Sequence, residues 1–254
     1  MTEARPAATV IIVRDGHDGP EVLMLRRSRR AGFFPNAWVF PGGRVDEDDA
    51  RVTTMGTVDG SALTDECFAV AALRECFEEA GVWLGQGEPR STLRDELNAR
   101  STLLSLQPDL VADLSKLAWF SWWITPEQEP KRYDTRFFVV VLEAEESGHA
   151  TPDQIETVES LWVTPTRALL RHRNRDDFFL APPTYRSLQD IETFTSAAEI
   201  WSYAHHRRIH PIMPKIETGE TVTIVLPGDP EHPSDWPVEG ATRLALRDNC
   251  WVEA

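Results

Sequence analysis

Residues 74 to 82 read Arg-Glu-Cys-Phe-Glu-Glu-Ala-Gly-Val, and no other stretch limits the fold of this chain so tightly. Glu75, Glu78 and Glu79 stand at i, i+3 and i+4. On an α-helix these positions fall within about 100° of arc, so all three carboxylates project from one face. Like charges placed this way repel by roughly 0.2–0.5 kcal/mol per pair. Acids crowded on a helix that faces the fold interior need a partner. A hard divalent cation such as Mg²⁺ is the natural one, because it prefers carboxylate oxygens and keeps several of its waters. Arg74 precedes Glu78 by four residues and is placed to hold that carboxylate.

The rest of the segment predicts a helix that begins near Thr64 as N-cap, with Asp65 and Glu66 in a first turn where the helix dipole favours acids. It ends at Gly81, which suits the left-handed position after a helix. Ala69, Val70, Leu73, Phe77 and Ala80 fall on the side opposite the glutamates, giving one packed face and one acidic face. A solvated surface helix would account for a Glu-Glu pair alone. It does not account for Arg-Glu, Glu-Glu and Gly at these fixed offsets.

These residues resemble the Nudix hydrolases, whose pattern is G-x5-E-x7-R-E-U-x-E-E-x-G-U with U a bulky apolar residue. Arg74 to Val82 matches the second half, with Cys76 a small substitute at one U position, and Phe40-Pro41-Gly42-Gly43 matches the turn that opens it. The spacing departs from the family: Gly43 to Arg74 is 31 positions where 14 are usual, an insertion of about 17 residues. The first motif glutamate therefore has several candidate counterparts, Asp46, Glu47, Asp48 and Asp49, of which Asp49 keeps the nominal distance from Gly43. A long insert here is similar to the branch containing coenzyme A and acyl-coenzyme A diphosphatases. Trp122-Trp123-Ile124-Thr125-Pro126, Lys131 to Phe138, Ala181-Pro182-Pro183-Thr184 and Leu226-Pro227-Gly228-Asp229-Pro230 also look like that branch.

The resemblance implies an α/β fold, a Nudix-type α/β/α sandwich with a mixed sheet and a C-terminal extension. It implies a hydrolase that uses Mg²⁺ or Mn²⁺ to cleave a nucleoside diphosphate linked to another moiety. Arg74, Glu75, Glu78 and Glu79 would be the catalytic set. Glu75, Glu78 and Glu79 would hold metal, joined by a downstream acid for which Glu159 is the first candidate and Glu156 the second. Phosphate binding needs cations or backbone amides. Arg27 and Arg29, directly before the Gly-Gly turn, and Arg132 and Arg136, flanking Tyr133-Asp134-Thr135, are the candidate substrate arginines, with Gly42 and Gly43 as candidate backbone contacts. Coenzyme A or acyl-coenzyme A leads, giving 3',5'-ADP and a 4'-phosphopantetheine product. ADP-ribose or another nucleotide sugar or dinucleotide is the alternative. A non-catalytic nucleotide-binding module of the same fold is the alternative from another class.

Charge bears on the partners. The net charge of −15 argues against a nucleic-acid or anionic-membrane surface. A polyanionic substrate then requires metal and local arginines to reverse the field at its site. Three cysteines without C-x-x-C spacing indicate neither a zinc knuckle nor a disulfide framework. His205, His206 and His210 show no metal-ligand spacing. The stretch Ala7 to Val13 is too short for a signal-peptide core, and no segment approaches a membrane span, so a cytoplasmic enzyme is expected. A homodimer is left open.

A pass along the chain predicts strands over residues 8–13 and 21–25 as a hairpin, a short strand at 38–40 and a loop insert at about 46–61. Residues 91–106 have helical periodicity. Strands follow at 117–124 and 135–143, a turn at 153–159, a strand at 161–163 and a helix at 166–172. Residues 1–172 form the expected Nudix core. Residues 173–254 form an extension packed on it, with a helix over 188–204, a strand over 221–226 and a Pro-rich stretch at 227–237.

Overall fold

The computed structural model describes residues 2–32, 34–58, 66–98, 107–143 and 150–254. Its strands are β1 (Arg5–Gly16), β2 (Gly19–Arg27), β3 (Trp38–Val39), β4 (Gly42–Arg44), β5 (Thr54–Met55), β6 (Gly85–Gln86), β7 (Val111–Asp113), β8 (Ala118–Ile124), β9 (Tyr133–Val141), β10 (Thr157–Val163), β11 (Pro211–Ile212), β12 (Lys215–Thr218), β13 (Val222–Val225), β14 (Arg243–Arg247) and β15 (Cys250–Glu253). Its α-helices are α1 (Cys67–Ala80), α2 (Leu93–Asn98), α3 (Pro165–Arg173), α4 (Pro182–Ile191) and α5 (Ala197–His206).

The expected hairpin forms: β1 and β2 pair antiparallel from Val13↔Val22 to Gly16↔Gly19. They lie inside a mixed sheet ordered β10-β2-β1-β9-β8-β11, with β3 added to β2 and β4 to β1. The β1–β9 and β8–β11 pairs are parallel. Alternation along the strands assigns the two faces. Val10, Ile12, Leu23 and Leu25 pack with α1 in one apolar cluster. Ile11, Val13, Val22 and Met24 pack on the other face with Leu169 of α3, Tyr185 and Leu188 of α4, Ile200 of α5, and Leu244 and Trp251 of the C-terminal strands. The result is the expected α/β/α sandwich.

Several expectations change. Among the described residues α1 begins at Cys67, with Glu66 at its N-cap making no side-chain cap bond, and Thr64 and Asp65 lie outside the described residues. The helix is buried nearly all round, Arg74 and Glu79 included, so it has no solvated acidic face. Phe77 leaves the main cluster and packs with Leu93, Leu97 and Leu110 instead, on the side covered by α2. The insert is more than a loop, since residues 47–51 form a 3-10 turn and β5 follows. Glu159 sits in β10 rather than in a turn. The helix expected over 188–204 is two helices. Pro182 and Pro183 open the first, where a missing N–H costs nothing, and Ser196 caps the second through its hydroxyl.

Residues 215–253 build a four-stranded antiparallel sheet, β12-β13-β14-β15, of which the periodicity showed one strand. The Leu103 and Leu104 positions of the expected 91–106 helix lie outside the described residues. Among the described residues no helix is long and apolar enough to cross a membrane.

Candidate active site

The opening turn and the glutamate helix meet because two glycines allow it. β4 pairs with β1 through Thr9↔Gly42 and Ala8↔Gly43. A Cβ on Gly42 would stand 2.5 Å from the Ala8 carbonyl oxygen, and one on Gly43 would overlap the Glu75 carboxylate. With hydrogen in place of a side chain, the turn settles directly on α1. The Gly42 N–H donates to Glu79 Oε2 at 2.9 Å. The glycines thus position carboxylates, and the Gly42 amide is occupied rather than free for substrate, which corrects the expected backbone contact.

Arg74 organises the acids around it. Nε donates to Asp49 Oδ1 at 2.8 Å and Nη2 to Asp49 Oδ2 at 3.0 Å, a two-pronged buried pair. Nη1 reaches Glu75 Oε1 at 2.9 Å and Glu78 Oε1 at 3.1 Å, and Nη2 also reaches the Arg44 carbonyl at 2.8 Å. Burial works against the Arg74 charge, but the Asp49 bonds and the charges of Glu75, Asp49 and Glu78 hold it protonated more firmly than an ordinary arginine. Asp49, 2 % exposed, is therefore the acid that the insert delivers to the motif arginine. The 3-10 turn is what brings it there: the Asp46 N–H donates to Asp49 Oδ2 at 2.8 Å, closing the turn on itself. Of the four candidates, the one at nominal spacing takes this place.

The glutamates are electrostatically costly. Burial pushes the Glu75 carboxyl up to about 7, outweighing Arg74, with the Glu78 and Glu156 charges adding to the rise. Burial also raises Glu78 against the pull of Arg74. Glu79 is raised well above the usual carboxylate range, by burial and then by the Glu75 charge, with the Gly42 N–H and Arg27 opposing. Glu79 is 3 % exposed and makes no ion pair with any described residue. A buried carboxylate in that position stays neutral or takes a cation.

Among the described residues no three Asp, Glu, His or Cys side chains are already gathered as a cation cage, because Glu75 and Glu78 close on Arg74. The donor set nonetheless fits a hard divalent ion. It offers carboxylate oxygens only, at adjacent turns of one helix, with an uncompensated buried negative charge among them.

The end of the helix is tied from outside. Arg94 donates from Nε to the Glu78 carbonyl and from Nη2 to the Glu79 carbonyl, both at 2.8 Å, and from Nη2 to the Thr151 carbonyl at 2.7 Å. The Thr151 N–H returns to the Ala80 carbonyl at 3.0 Å. The last carbonyls of α1, which a helix leaves without partners, are satisfied by side chain and loop. That same loop leads to Glu156, through an Asp153 carboxylate that accepts from the backbone N–H groups of residues 155, 156 and 157. Sequence reasoning missed Arg94. Nothing in its neighbourhood marks it, since its partners are main-chain carbonyls 15 and 16 residues back.

The other expected residues divide. Arg27, at the end of β2, acts electrostatically on Glu79, and its buried Nε has no hydrogen-bond partner. Arg29 is exposed on the following turn. Arg132 is buried and spends its guanidinium on the Thr125 and Thr2 carbonyls, 3.1 and 2.8 Å away, so it is a fastener of the chain rather than a substrate cation. Arg136 is paired to Asp134 and lies over Trp122, Phe68 and Trp119 at 3.9, 4.5 and 5.9 Å from the ring centres, a stacked cation in the fold. Glu159 pairs with Arg26 at 2.9 Å on β10, apart from the glutamates of α1. Glu156, the second candidate, is the acid whose charge adds to the rise of Glu75 and Glu79.

Comparison with known proteins agrees with this architecture. The family model described as the NUDT19 Nudix domain matches residues 52–191. A protein named acyl-coenzyme A diphosphatase NUDT19 from Gallus gallus is 28% identical over 297 aligned positions, spanning 92% of this chain and 78% of its own. The putative nudix hydrolase 7 of Caenorhabditis elegans is 30% identical, spanning 82% of this chain and 68% of its own. A crystal structure of a Nudix hydrolase from Alicyclobacillus acidocaldarius superposes with a TM-score of 0.68 at 30% identity, covering 80% of this chain and 97% of that one.

Proposed function

The chain belongs to the Nudix hydrolases, in the NUDT19 Nudix domain family, and from that premise we propose that it hydrolyses the diphosphate of coenzyme A or an acyl-coenzyme A. The products would be 3',5'-ADP and the 4'-phosphopantetheine or acyl-phosphopantetheine portion. One observation carries the reading: Arg74, Asp49, Glu75, Glu78 and Glu79 are gathered beside the Gly42–Gly43 turn, in a chain aligned over 92% of its length with a protein named for acyl-coenzyme A diphosphatase activity.

Glu75, Glu78 and Glu79 would hold Mg²⁺ or Mn²⁺, with Glu156 as the fourth acid. A bound divalent ion neutralises diphosphate charge and lowers the pKa of water. The residues supply the rest. Arg74 sets the orientation of Glu75 and Glu78 by its two Nη1 bonds, and Asp49 holds Arg74. The Gly42 N–H fixes one Glu79 oxygen and leaves the other open. Arg27 is the arginine placed for a phosphate oxygen.

The test is hydrolysis of coenzyme A, an acyl-coenzyme A and ADP-ribose with each metal, with products identified by mass. Release of 3',5'-ADP, lost in Glu79→Gln, is expected. Cleavage of ADP-ribose alone would overturn the substrate assignment.

A further inference from the structure

A second cavity, of about 470 Å³, lies outside the carboxylate site. Its rim comes from three turns far apart in sequence. Phe34, Asn36, Arg175, Asp177, Asp248 and Asn249 all line it, and these are six of the seven non-glycine residues with left-handed backbone among the described residues. Asp248-Asn249 is the two-residue turn of the β14–β15 hairpin, where such angles are ordinary. At Phe34 and Arg175 they are costly and persist only where the surroundings enforce them. Arg175 Nη2 bonds Asp248 Oδ2 at 2.7 Å, joining two of the turns, and Asp177 is bound to Arg26 at the end of β2. The rim is a built frame rather than a loose surface.

Its walls and edges differ in chemistry. Phe34 and Phe179 present rings 5.8 Å apart, and Phe179 lies 5.9 Å from the buried His172. Asn36 and Asn249 place amides at the rim that bond to no described residue. Flat aromatic walls with amide edges suit a planar heterocycle. Such a base stacks on the rings, and an asparagine amide can meet the N6 and N7 atoms of adenine with both its donor and its acceptor. An acyl chain would leave the Asn36 and Asn249 amides without partners. We propose that this cavity is the subsite for the adenine base of the substrate; the assignment rests on the diphosphatase reading above.

Backbone hydrogen bonds tie the cavity rim to the strand that carries Arg27. The Ala37 N–H donates to the Phe34 carbonyl at 3.2 Å, and the Arg27 N–H donates to the Ala37 carbonyl at 2.9 Å. The turn that carries Phe34 and Asn36 is thereby fastened to the arginine beside Glu79, and it runs on through Trp38 to Gly42. Successive residues of β2 serve the two places: Arg26 braces the cavity rim, and Arg27 faces the carboxylates.

The experiment uses Phe34→Ala and the double variant Asn36→Gly/Asn249→Gly, glycine keeping the left-handed turns while removing the amides. Binding of 3',5'-ADP in EDTA is followed by tryptophan fluorescence, since Trp38 stacks on Phe178 of the cavity wall with ring centres 4.7 Å apart. Steady-state kinetics with coenzyme A and Mg²⁺ run in parallel. Each variant should weaken 3',5'-ADP about tenfold and raise KM similarly, with kcat and Tm retained. Unchanged 3',5'-ADP affinity in a folded variant overturns the subsite. So does a loss that follows acyl-chain length while 3',5'-ADP binding is intact. Wild-type protein that binds 3',5'-ADP through these residues yet cleaves no coenzyme A would overturn the function and leave the subsite standing.

Discussion

The face of the central sheet under α1 carries a network of charges beside its apolar cluster, whereas the other face is packed by apolar contact. Under α1, Arg74 holds three acids within 3.1 Å, and Glu79 is buried with the Gly42 N–H as its hydrogen-bond partner among the described residues. Across the sheet, Phe120, Leu188, Ile200, Leu244 and Trp251 fill one continuous cluster that joins the strands to the C-terminal extension. The first arrangement stores unfavourable electrostatics that a cation would relieve; the second supplies the stability that tolerates it. Residues of the charged set on the first face should therefore trade stability against turnover, and residues deep in the second cluster, away from the cavity, should affect stability alone.

The largest break in this comparison is expected from Asp49→Ala. Leaving Arg74 buried without its two-pronged partner should cost about 3–5 kcal/mol and also release Glu75 and Glu78 from their orientation. Chemical denaturation and kcat would both fall. A loss confined to kcat would mean that Arg74 is not held by Asp49.

Phe120→Ala should cost a similar 3–5 kcal/mol by opening a cavity in the opposite cluster, with kcat unchanged at temperatures where the variant is folded. A changed kcat would show that the two faces are coupled.

Glu79→Gln should lower turnover by about a hundredfold or more while Tm in EDTA holds or rises, because the amide still accepts the Gly42 N–H and no charge remains buried. A drop in Tm would mean that the Glu79 charge stabilises the fold.

The smallest effect concerns pH. The folded Glu75 carboxyl, near 7, keeps a proton that the unfolded chain releases near 4.5, so the native state binds more protons between those values. In EDTA, Tm should decline as pH rises through this window, and saturating Mg²⁺ or Glu75→Gln should flatten the slope. A Tm that rises over the same window in EDTA, equally in wild type and Glu75→Gln, would remove Glu75 from the account.

Much of the site was legible in the chain because it is local. The i, i+3, i+4 glutamates, Arg74 and Gly81 lie within eight positions, and helical geometry dictates their relation before any tertiary contact forms. Asp49 was legible as one of four, since spacing from Gly43 favoured it while only the 3-10 turn selected it. The arginines were less legible. Arg132 and Arg136 flank a motif-like triplet, but a guanidinium spends its donors on whatever acceptor is near, and here those are the Thr125 and Thr2 carbonyls and the Asp134 carboxylate.

Sequence alone determined the strand hairpin and a helix that gathers three glutamates on one face, because hydrophobic alternation and helical spacing are written residue by residue; the motif around those glutamates carried the resemblance to the Nudix hydrolases. Tertiary structure decided the rest. It paired Glu159 with Arg26, gave Arg94 to the helix end across 15 residues, and gathered three remote turns around one cavity. Such contacts depend on where strands and loops come to lie, which no local spacing records.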